Sequence, residues 1–313
     1  MPATKWERRL VYVRVNAPWR RLLKNRTVKR HVQGTDLFLP WSHQLPDYAR
    51  ARPSYGQNLV NLAVALEKRL GNDAASMGVL DVGANVGDSA AQIMAATSAR
   101  VLCVEADPHW STYLHMNLDS NPRAAIEEAL LTPNDDSWSG GATAVRSGGT
   151  SHFVASEALQ SESILSVGNL YERHPDFAGL RLVKSDTDGF DTTLVPAIAG
   201  QWADAGPVLF FEFDPLLTRQ VAGVDPNAVW DAVAALGYSR LAVWDNAGDP
   251  MGQLDVGEAA EKARSLEPRP AHLGYDFWDV AVCRGDDEAA LSAFDELVPE
   301  AFSPLGIARP RAS

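Results

Sequence analysis

The sequence predicts an α/β fold built on a mostly parallel, twisted sheet, and two observations carry that prediction. An apolar strand at 78–82 runs into a glycine turn at 83–87 and then into a helix of small residues at 88–97. A second strand at 100–105 and a second helix at 108–118 follow directly. Strands that alternate with helices indicate parallel neighbours with right-handed crossovers and helices on both faces of the sheet.

The remaining elements follow from the same hydrophobic patterns. Apolar residues at helical spacing predict a helix from Leu59 to Leu70, and Gly71 stands where that helix would end. The segment 133–150 holds paired glycines with Ser and Thr, so we expect a loop there. A further helix is expected at 227–236, and further strands at 125–131, 181–185, 208–213, 240–244 and 277–283.

The chain of 313 residues is long enough for one large domain or two modest ones, so motif spacing has to decide. We predict a basic N-terminal extension at 1–58, a single α/β domain at 59–285, and a C-terminal helix and tail at 286–313. The extension lacks one sustained hydrophobic period, whereas the pattern is clear from residue 59 onward.

Charge narrows the classes of partner. The chain has 28 Lys and Arg against 40 Asp and Glu, a net charge of −12, which argues against general binding of nucleic acid. Residues 1–31 are the exception, with ten Lys or Arg and one acid, Glu7. This arm could contact an anionic membrane surface, an acidic substrate, or the acidic body of its own fold or of a partner subunit in a homo-oligomer.

Other global features predict a cytoplasmic protein. No apolar run approaches the length of a membrane span, and the N-terminus lacks a signal-peptide pattern. Cys103 and Cys283 both lie in apolar runs, where we expect buried, non-catalytic thiols of a reducing compartment. The seven histidines show no metal-ligand spacing, so no metal ligand set is assigned from them.

The candidate cofactor site centres on the glycine turn. Its glycines, Gly83 and Gly87, stand four apart between Asp81 and Asp88, and Glu105 ends the next strand. A carboxylate at that place can accept hydrogen bonds from both ribose hydroxyls, which predicts an adenosine-containing ligand. The predicted cofactor-binding residues are Asp81, Gly83, Ala84, Asn85, Gly87, Asp88, Glu105, Ala106 and Asp107.

The two aspartates of the turn favour a cationic ligand. They would repel the pyrophosphate of a dinucleotide, whereas a sulfonium and an amino-acid ammonium suit them, which favours S-adenosylmethionine over NAD. Alternatively, Asp81 holds a backbone turn and Asp88 caps the helix that follows.

Three segments together resemble the FkbM-type S-adenosylmethionine-dependent methyltransferases: DVGANVGD at 81–88, VEADP at 104–108 and VKSDTDGFD at 183–191. The resemblance covers roughly residues 40–285. It implies a Rossmann-like class I methyltransferase fold and methyl transfer to an oxygen of a sugar, glycoside or polyketide-type metabolite. Departures from the family pattern are Ser185 at a usually apolar position, and Asp188 and Asp191 where Glu is common.

Asp186, Glu212 and His43 are the candidate catalytic residues. Asp186 ends one predicted strand and Glu212 lies near the end of the next, so Asp186 is expected to face the acceptor hydroxyl with Glu212 beside it. The alternative for Asp186 is a cap on a helix starting near Gly189. His43 lies in a proline-bounded segment that could fold over the pocket and supply a base, although a structural histidine is the more common case.

Three alternatives remain open at this stage. One is a metal site in which Asp186, Asp188 and Glu212 hold Mg²⁺ against two sugar hydroxyls. Lys184 is not a candidate base in any of them, since it is expected to pair with a carboxylate. The chain could also be a non-catalytic cofactor-binding partner in a biosynthetic complex, or an NAD-dependent oxidoreductase.

Overall fold

The computed structural model describes residues 26–71, 77–135, 141–147, 150–156, 164–266 and 276–304, with backbone alone for 141–147 and 150–156. Its centre is an eight-stranded sheet, and its strands are β3 Gly78–Val82, β4 Arg100–Glu105, β5 Ala124–Glu128, β10 Leu180–Ser185, β11 Val208–Phe213, β12 Tyr238–Asp245, β13 Pro250–Asp255 and β14 Trp278–Arg284. Their order across the sheet is β13-β12-β14-β11-β10-β3-β4-β5.

The sheet is parallel in the half that matters for the site. Strands β5, β4, β3, β10 and β11 run in one direction, and β14 pairs antiparallel with both β11 and β12. The chain builds outward from β3 through β4 to β5 and then returns to the other side of β3 with β10. This order confirms the predicted Rossmann-like fold, and the reversal between β3 and β10 creates a crevice at the carboxyl ends of the strands.

Helices cover both faces of the sheet. We number them α1 Leu45–Ala51, α2 Gln57–Leu70, α3 Asp88–Ala96, α4 Pro108–Leu118, α5 Val167–Arg173, α6 Asp191–Gln201, α7 Pro215–Val221, α8 Ala228–Ala235, α9 Val256–Lys262 and α10 Glu288–Leu297. Successive strand residues point to opposite faces, so Leu80 and Val82 join one core cluster while Val79 joins the other. Burial on both faces explains why these strands are almost uniformly apolar in sequence.

Three small pairs of strands lie outside the main sheet. They are the hairpin of β1 Thr27–Val32 with β2 Thr35–Pro40, the parallel pair of β6 Leu130–Thr132 with β9 Ile164–Ser166, and the hairpin of β7 Gly141–Ser147 with β8 Thr150–Ser156. The loop predicted at 133–150 is therefore wrong over 141–147. The segment is rich in glycine and serine, which are typical of loops, so the sequence pattern did not indicate the strand.

The N-terminal segment contains more regular structure than its sequence indicates. The β1–β2 hairpin places Leu37 and Leu39 against Val86, Trp110 and Tyr113 of the α/β body. The division at residues 58 and 285 stays a prediction, and the part of the basic arm at 1–25 lies outside the described residues.

Other predictions concern the elements themselves. The strand expected at 125–131 is split into β5 and β6 at Ala129. Cys103 and Cys283 are buried, as predicted. Within the described ranges, no helix combines the length and the apolarity that a membrane crossing requires.

Candidate active site

Two cavities meet in the crevice at the carboxyl ends of β3 and β10. The first cavity, of about 340 Å³, lies toward β4 and the segment after β5. The second cavity, of about 210 Å³, lies toward α1, α2, β11 and β14. Gly83, Asn85 and Asp186 line both cavities. The two cavities are therefore adjacent, and they share a border at the turns after β3 and β10.

The glycine turn is shaped by close packing of the chain on itself. Gly83 has a φ of +72°, and a Cβ there would overlap the carbonyl oxygen of Asp186. The backbone N–H of Asp186 donates to the carbonyl of Val82 at 3.1 Å, so the turns after β3 and β10 touch directly. At Gly87, a Cβ would lie 2.7 Å from Leu114 Cδ1 on α4. Both glycines are thus needed for packing as well as for an open crevice.

Glu105 is held rigidly at the wall of the first cavity. Its Oε2 accepts from the backbone N–H of Asn85 and its Oε1 from that of Asp107, each at 2.7 Å. Burial raises the pKa of Glu105 to about 7, and the two backbone hydrogen bonds partly oppose that rise. Asn85 supports this arrangement with a φ of +53°, a conformation that Asn tolerates better than most residues. The carboxyl group is therefore fixed before any ligand arrives.

Three of the predicted cofactor residues have supporting positions. Asp107 Oδ1 accepts from the backbone N–H of His109 at 2.8 Å and thereby caps α4. Asp81 and Gly87 line neither cavity. The other predicted residues face a cavity: Ala106 and Glu105 the first, Ala84 and Asp88 the second, and Gly83 and Asn85 both. Asp88 begins α3 without capping it by its side chain.

A buried ion pair lies beneath the turn. Lys184 Nζ is 3.0 Å from Asp81 Oδ1 and donates to the carbonyl of Gly83 at 2.9 Å. Burial raises the pKa of Asp81 and works to lower that of Lys184, but the neighbouring carboxylates outweigh burial and leave the Lys184 pKa raised. The prediction that Lys184 pairs with a carboxylate is confirmed. Its charge is committed to Asp81 and, at 3.6 Å, to Asp186.

The segment after β10 is organised by a carboxylate that faces inward. Asp191 is buried and accepts from the Ser185 hydroxyl at 2.6 Å and from the backbone N–H of Thr187 at 3.1 Å. This contact explains the unusual Ser185, whose hydroxyl supports the turn. Asp186 is left half exposed between the cavities, and burial together with Asp186 raises the pKa of Asp188 to about 7. The helix begins at Asp191, so Asp186 does not cap it.

The second cavity is rich in carboxyl groups. Asp88, Asp186, Glu212 and Asp279 all line it, and Glu212 is paired with Asp279 in the antiparallel register of β11 and β14. Burial raises the pKa of Glu212 well above its ordinary value and that of Asp279 to about 7. Burial likewise raises the pKa of Asp88 to about 6. Asp279 accepts from Asn58 Nδ2 at 2.8 Å.

His43 reaches the second cavity from the N-terminal segment. Its Nδ1 accepts from the backbone N–H of Leu45 at 3.2 Å, which leaves Nε2 to donate to Asn85 Oδ1 at 3.3 Å. Its ring also meets Trp110 edge-on at 5.3 Å. Burial lowers the pKa of His43 to about 4, so the ring is neutral at pH 7. Both ring nitrogens are engaged, an arrangement that orients Asn85.

The magnesium alternative gains no support from this geometry. Asp188 lines the first cavity and Glu212 the second. In the part of the chain that is described, no group of three His, Cys, Asp or Glu side chains is placed to hold a metal ion.

Several residues of the second cavity were missed by sequence reasoning. Tyr55 and Asn58 come from the start of α2 and the turn before it, Phe210 from β11, and Asp279 from β14. They come from three widely separated stretches of the chain and carry no shared motif. Only the antiparallel insertion of β14 and the docking of α2 bring them together.

Comparison with known proteins finds likeness in fold and not in sequence. No family model matches the chain, and no curated protein matches it. Similar solved structures include the methyltransferase FkbM from Methylobacillus flagellatus, with a TM-score of 0.36 and 11% identity over 66% of this chain and 44% of that one. An O-methyltransferase from Bacillus cereus in complex with SAH has a TM-score of 0.38 and 12% identity over 71% and 80%.

A third similar structure is the fibrillarin pre-rRNA processing protein of Methanococcus jannaschii, with a TM-score of 0.38 and 10% identity over 67% of each chain. At these values the likeness is limited to general fold. A functional assignment therefore has to come from the site.

Proposed function

We propose that this protein is an S-adenosylmethionine-dependent methyltransferase that methylates a hydroxyl oxygen of a small acceptor, such as a sugar, glycoside or polyketide-type metabolite. The observation that carries the proposal is Glu105, fixed by two backbone N–H groups at the end of β4 and facing the first cavity. Each carboxylate oxygen can accept a second hydrogen bond. Glu105 therefore keeps the capacity to bind two ribose hydroxyls.

The rest of the first cavity suits an adenine ring. Its lining is mainly apolar and includes Val104, Trp110, Leu131 and Phe190. An aromatic base would gain from removal of its faces from water and from contact with the indole of Trp110. This division, with a carboxylate at one side and apolar walls at the other, supports binding of a nucleoside.

Charge favours a cationic cofactor over a dinucleotide. Among the described residues that line the two cavities, Lys184 is the single Lys or Arg, and it is buried against Asp81. A pyrophosphate in the crevice would face Asp186 and Asp188 without a free cation. A sulfonium and an ammonium would instead find Asp88 and Asp186 nearby.

When bound, the cofactor supplies an electrophilic methyl group, and the chain has to align the acceptor and take up its proton. Asp186 lies at the junction of the cavities, where it can orient the acceptor hydroxyl and accept its proton. Glu212 lies on the neighbouring strand, and its carboxyl group lines the second cavity together with Asp186. His43 supports the site by holding Asn85.

Calorimetric titration tests the proposal directly. S-adenosylhomocysteine, S-adenosylmethionine and NAD are each titrated into the full chain. The first two should bind with one site per chain, and NAD should give no measurable heat of binding. Binding of NAD alone would reject the methyltransferase assignment and favour an oxidoreductase.

A further inference from the structure

The second cavity holds more carboxyl groups than a neutral acceptor and a cationic cofactor require. Four carboxyl groups line it, and Lys184, the one lysine among the described lining residues, is already shared between Asp81 and Asp186. His43 donates to Asn85 and is neutral at pH 7. The cavity is therefore short of positive charge.

The carboxyl groups separate into two pairs by position. Asp88 follows the turn after β3 and Asp186 begins the turn after β10, so both lie beside the proposed cofactor. Glu212 and Asp279 lie one strand further along, on β11 and β14, and are neighbours in register. Because the cofactor is expected at the turns, this second pair faces the acceptor.

The second pair lacks a cationic partner. Within the described residues, the side chain of Glu212 has no hydrogen bond and no ion pair, although its backbone belongs to the β11–β14 pairing. Asp279 accepts from a neutral amide, Asn58 Nδ2. A buried carboxylate without a compensating charge is costly, so it is usually paired with a cation or protonated.

Asn58 supplies an independent sign of a missing donor. Asn58 is 4% exposed and lines the second cavity, and its Oδ1 has no hydrogen-bond partner among the described residues. A buried amide oxygen without a donor is costly, because it has given up its hydrogen bonds to water. Asn58 thus adds a third acceptor group beside Glu212 and Asp279.

Aromatic side chains complete the wall. Tyr55, Phe210 and Phe277 line the same cavity. Aromatic faces attract cations, and they also pack against the carbon frame of a small ring. The cavity volume of about 210 Å³ suits one such ring.

We propose that the acceptor is an amino alcohol, a ring that bears an ammonium group beside the hydroxyl to be methylated, with the ammonium seated between Glu212 and Asp279 and within reach of Asn58. An ammonium has three N–H donors and no acceptor, which matches three acceptor groups and no free cation. This inference rests on the methyltransferase proposal and specifies the acceptor of the same site.

The test compares a matched pair of small ligands. An aminocyclohexanol and the corresponding cyclohexanediol are titrated calorimetrically into protein saturated with S-adenosylhomocysteine. We expect the amine to bind at least about tenfold more tightly, since the two ligands differ only in an ammonium that can form charge-assisted hydrogen bonds. Equal affinities, or no measurable binding of either ligand, would overturn the inference.

Asp279→Asn identifies the group responsible. Asparagine keeps an oxygen for Asn58 Nδ2 and removes the charge, so the preference for the amine should fall about tenfold while diol binding stays unchanged. Asp204→Asn, at an exposed carboxylate that lines neither cavity, should keep the full preference. An unchanged preference in Asp279→Asn would contradict the proposed seat.

Binding of S-adenosylhomocysteine is measured first on the same samples. Its absence would mean that the methyltransferase proposal fails. Intact binding without a preference for the amine would leave that proposal standing and reject only the amino-alcohol acceptor.

Discussion

The two cavities share a border, yet they are built in different ways. The first is mainly apolar, and Glu105, one of its three carboxyl groups, has both oxygens fixed by backbone N–H groups. The second contains four carboxyl groups, of which Glu212 has no hydrogen bond within the described residues. A cavity whose polar groups already have hydrogen-bond partners suits a ligand that is always the same, such as a cofactor. A cavity with unpaired acceptors suits a ligand that brings its own hydrogen-bond donors.

The contrast extends to the origin of the residues. The first cavity is formed largely by consecutive strand ends and turns between β3 and β6 and by the turn after β10. The second collects α1, α2, β11 and β14, which lie far apart in the chain. The comparison predicts that substitutions in the first cavity alter cofactor binding, and that substitutions in the second alter the acceptor.

Asp186→Asn should produce the largest effect, because Asp186 belongs to both cavities. Loss of the proposed proton acceptor should lower turnover by about 10³-fold. Affinity for S-adenosylhomocysteine should change less than about threefold, since Asp88 still faces its ammonium and an amide at position 186 still accepts hydrogen bonds. Formation of S-adenosylhomocysteine with any acceptor that the wild type methylates measures turnover, and calorimetry measures affinity.

Asp231→Asn, on the exposed surface of α8, is the matched control for Asp186→Asn and should leave both values unchanged. Full turnover in Asp186→Asn would show that Asp186 takes no part in the reaction.

Gly83→Ala should destabilise the contact between the turns after β3 and β10, which forms the border of the two cavities. The new Cβ would overlap the Asp186 carbonyl oxygen, and φ is +72°, so we expect a loss of about 3 kcal/mol in the free energy of unfolding. Urea denaturation measures this loss. Gly257→Ala on α9, where a Cβ meets open space, should leave stability unchanged or slightly raised. Equal stability of the two variants would contradict the contact between the two turns.

Glu105→Gln should damage the first cavity alone. The amide would place N–H donors against the backbone N–H of Asn85 or Asp107, and it would lose charge-assisted hydrogen bonds to a ribose. Affinity for S-adenosylhomocysteine should fall about 100-fold by calorimetry. Glu128→Gln, at an exposed residue that ends β5, should bind normally. Unimpaired binding in Glu105→Gln would refute the proposed ribose contact.

A smaller effect should appear in the dependence of stability on pH. Burial raises the pKa of Glu105 from 4.5 to about 7 and that of Asp279 from 3.8 to about 7. Between the two values the folded chain holds more protons than the unfolded chain, so the free energy of unfolding must fall as pH rises through that window. We expect the Tm of the ligand-free protein to drop by about 3 °C or more between about pH 5 and about pH 7.5.

The dependence of Tm on pH should also differ between the two forms of the cofactor. S-adenosylmethionine is cationic at sulfur and S-adenosylhomocysteine is not, so the first should reduce the loss of Tm at the higher pH more than the second. A Tm that rises with pH in the ligand-free protein would show that burial does not penalise the charged form of these carboxyl groups.

What the sequence could predict follows the same division. Glu105, Asn85 and the turn at 83–87 belong to a strand–turn–helix unit whose parts are adjacent in the chain, so their spacing alone indicates a nucleoside site. Asn58 and Asp279 are 221 positions apart and are joined by one hydrogen bond across the fold. No local pattern predicts such a contact, because it depends on where α2 docks and on the antiparallel insertion of β14.

The roles of individual residues were harder to predict than their location. Asp81 is typical of a ligand carboxylate in sequence, but its partner is Lys184 beneath the turn. Ser185 is an unexplained polar residue in an apolar strand until its bond to Asp191 is seen. In both cases the deciding information is the direction of a side chain at the end of a strand, which spacing does not contain.

The contact between Gly83 and Asp186 has a consequence for how this site can diversify. The two turns touch through backbone atoms, so neither can shift to admit a larger group without displacing the other. New acceptors have to be accommodated from the opposite side, by exchange of Tyr55, Asn58 or Phe277. Libraries aimed at altered selectivity should therefore vary those three positions and keep the glycine turn constant.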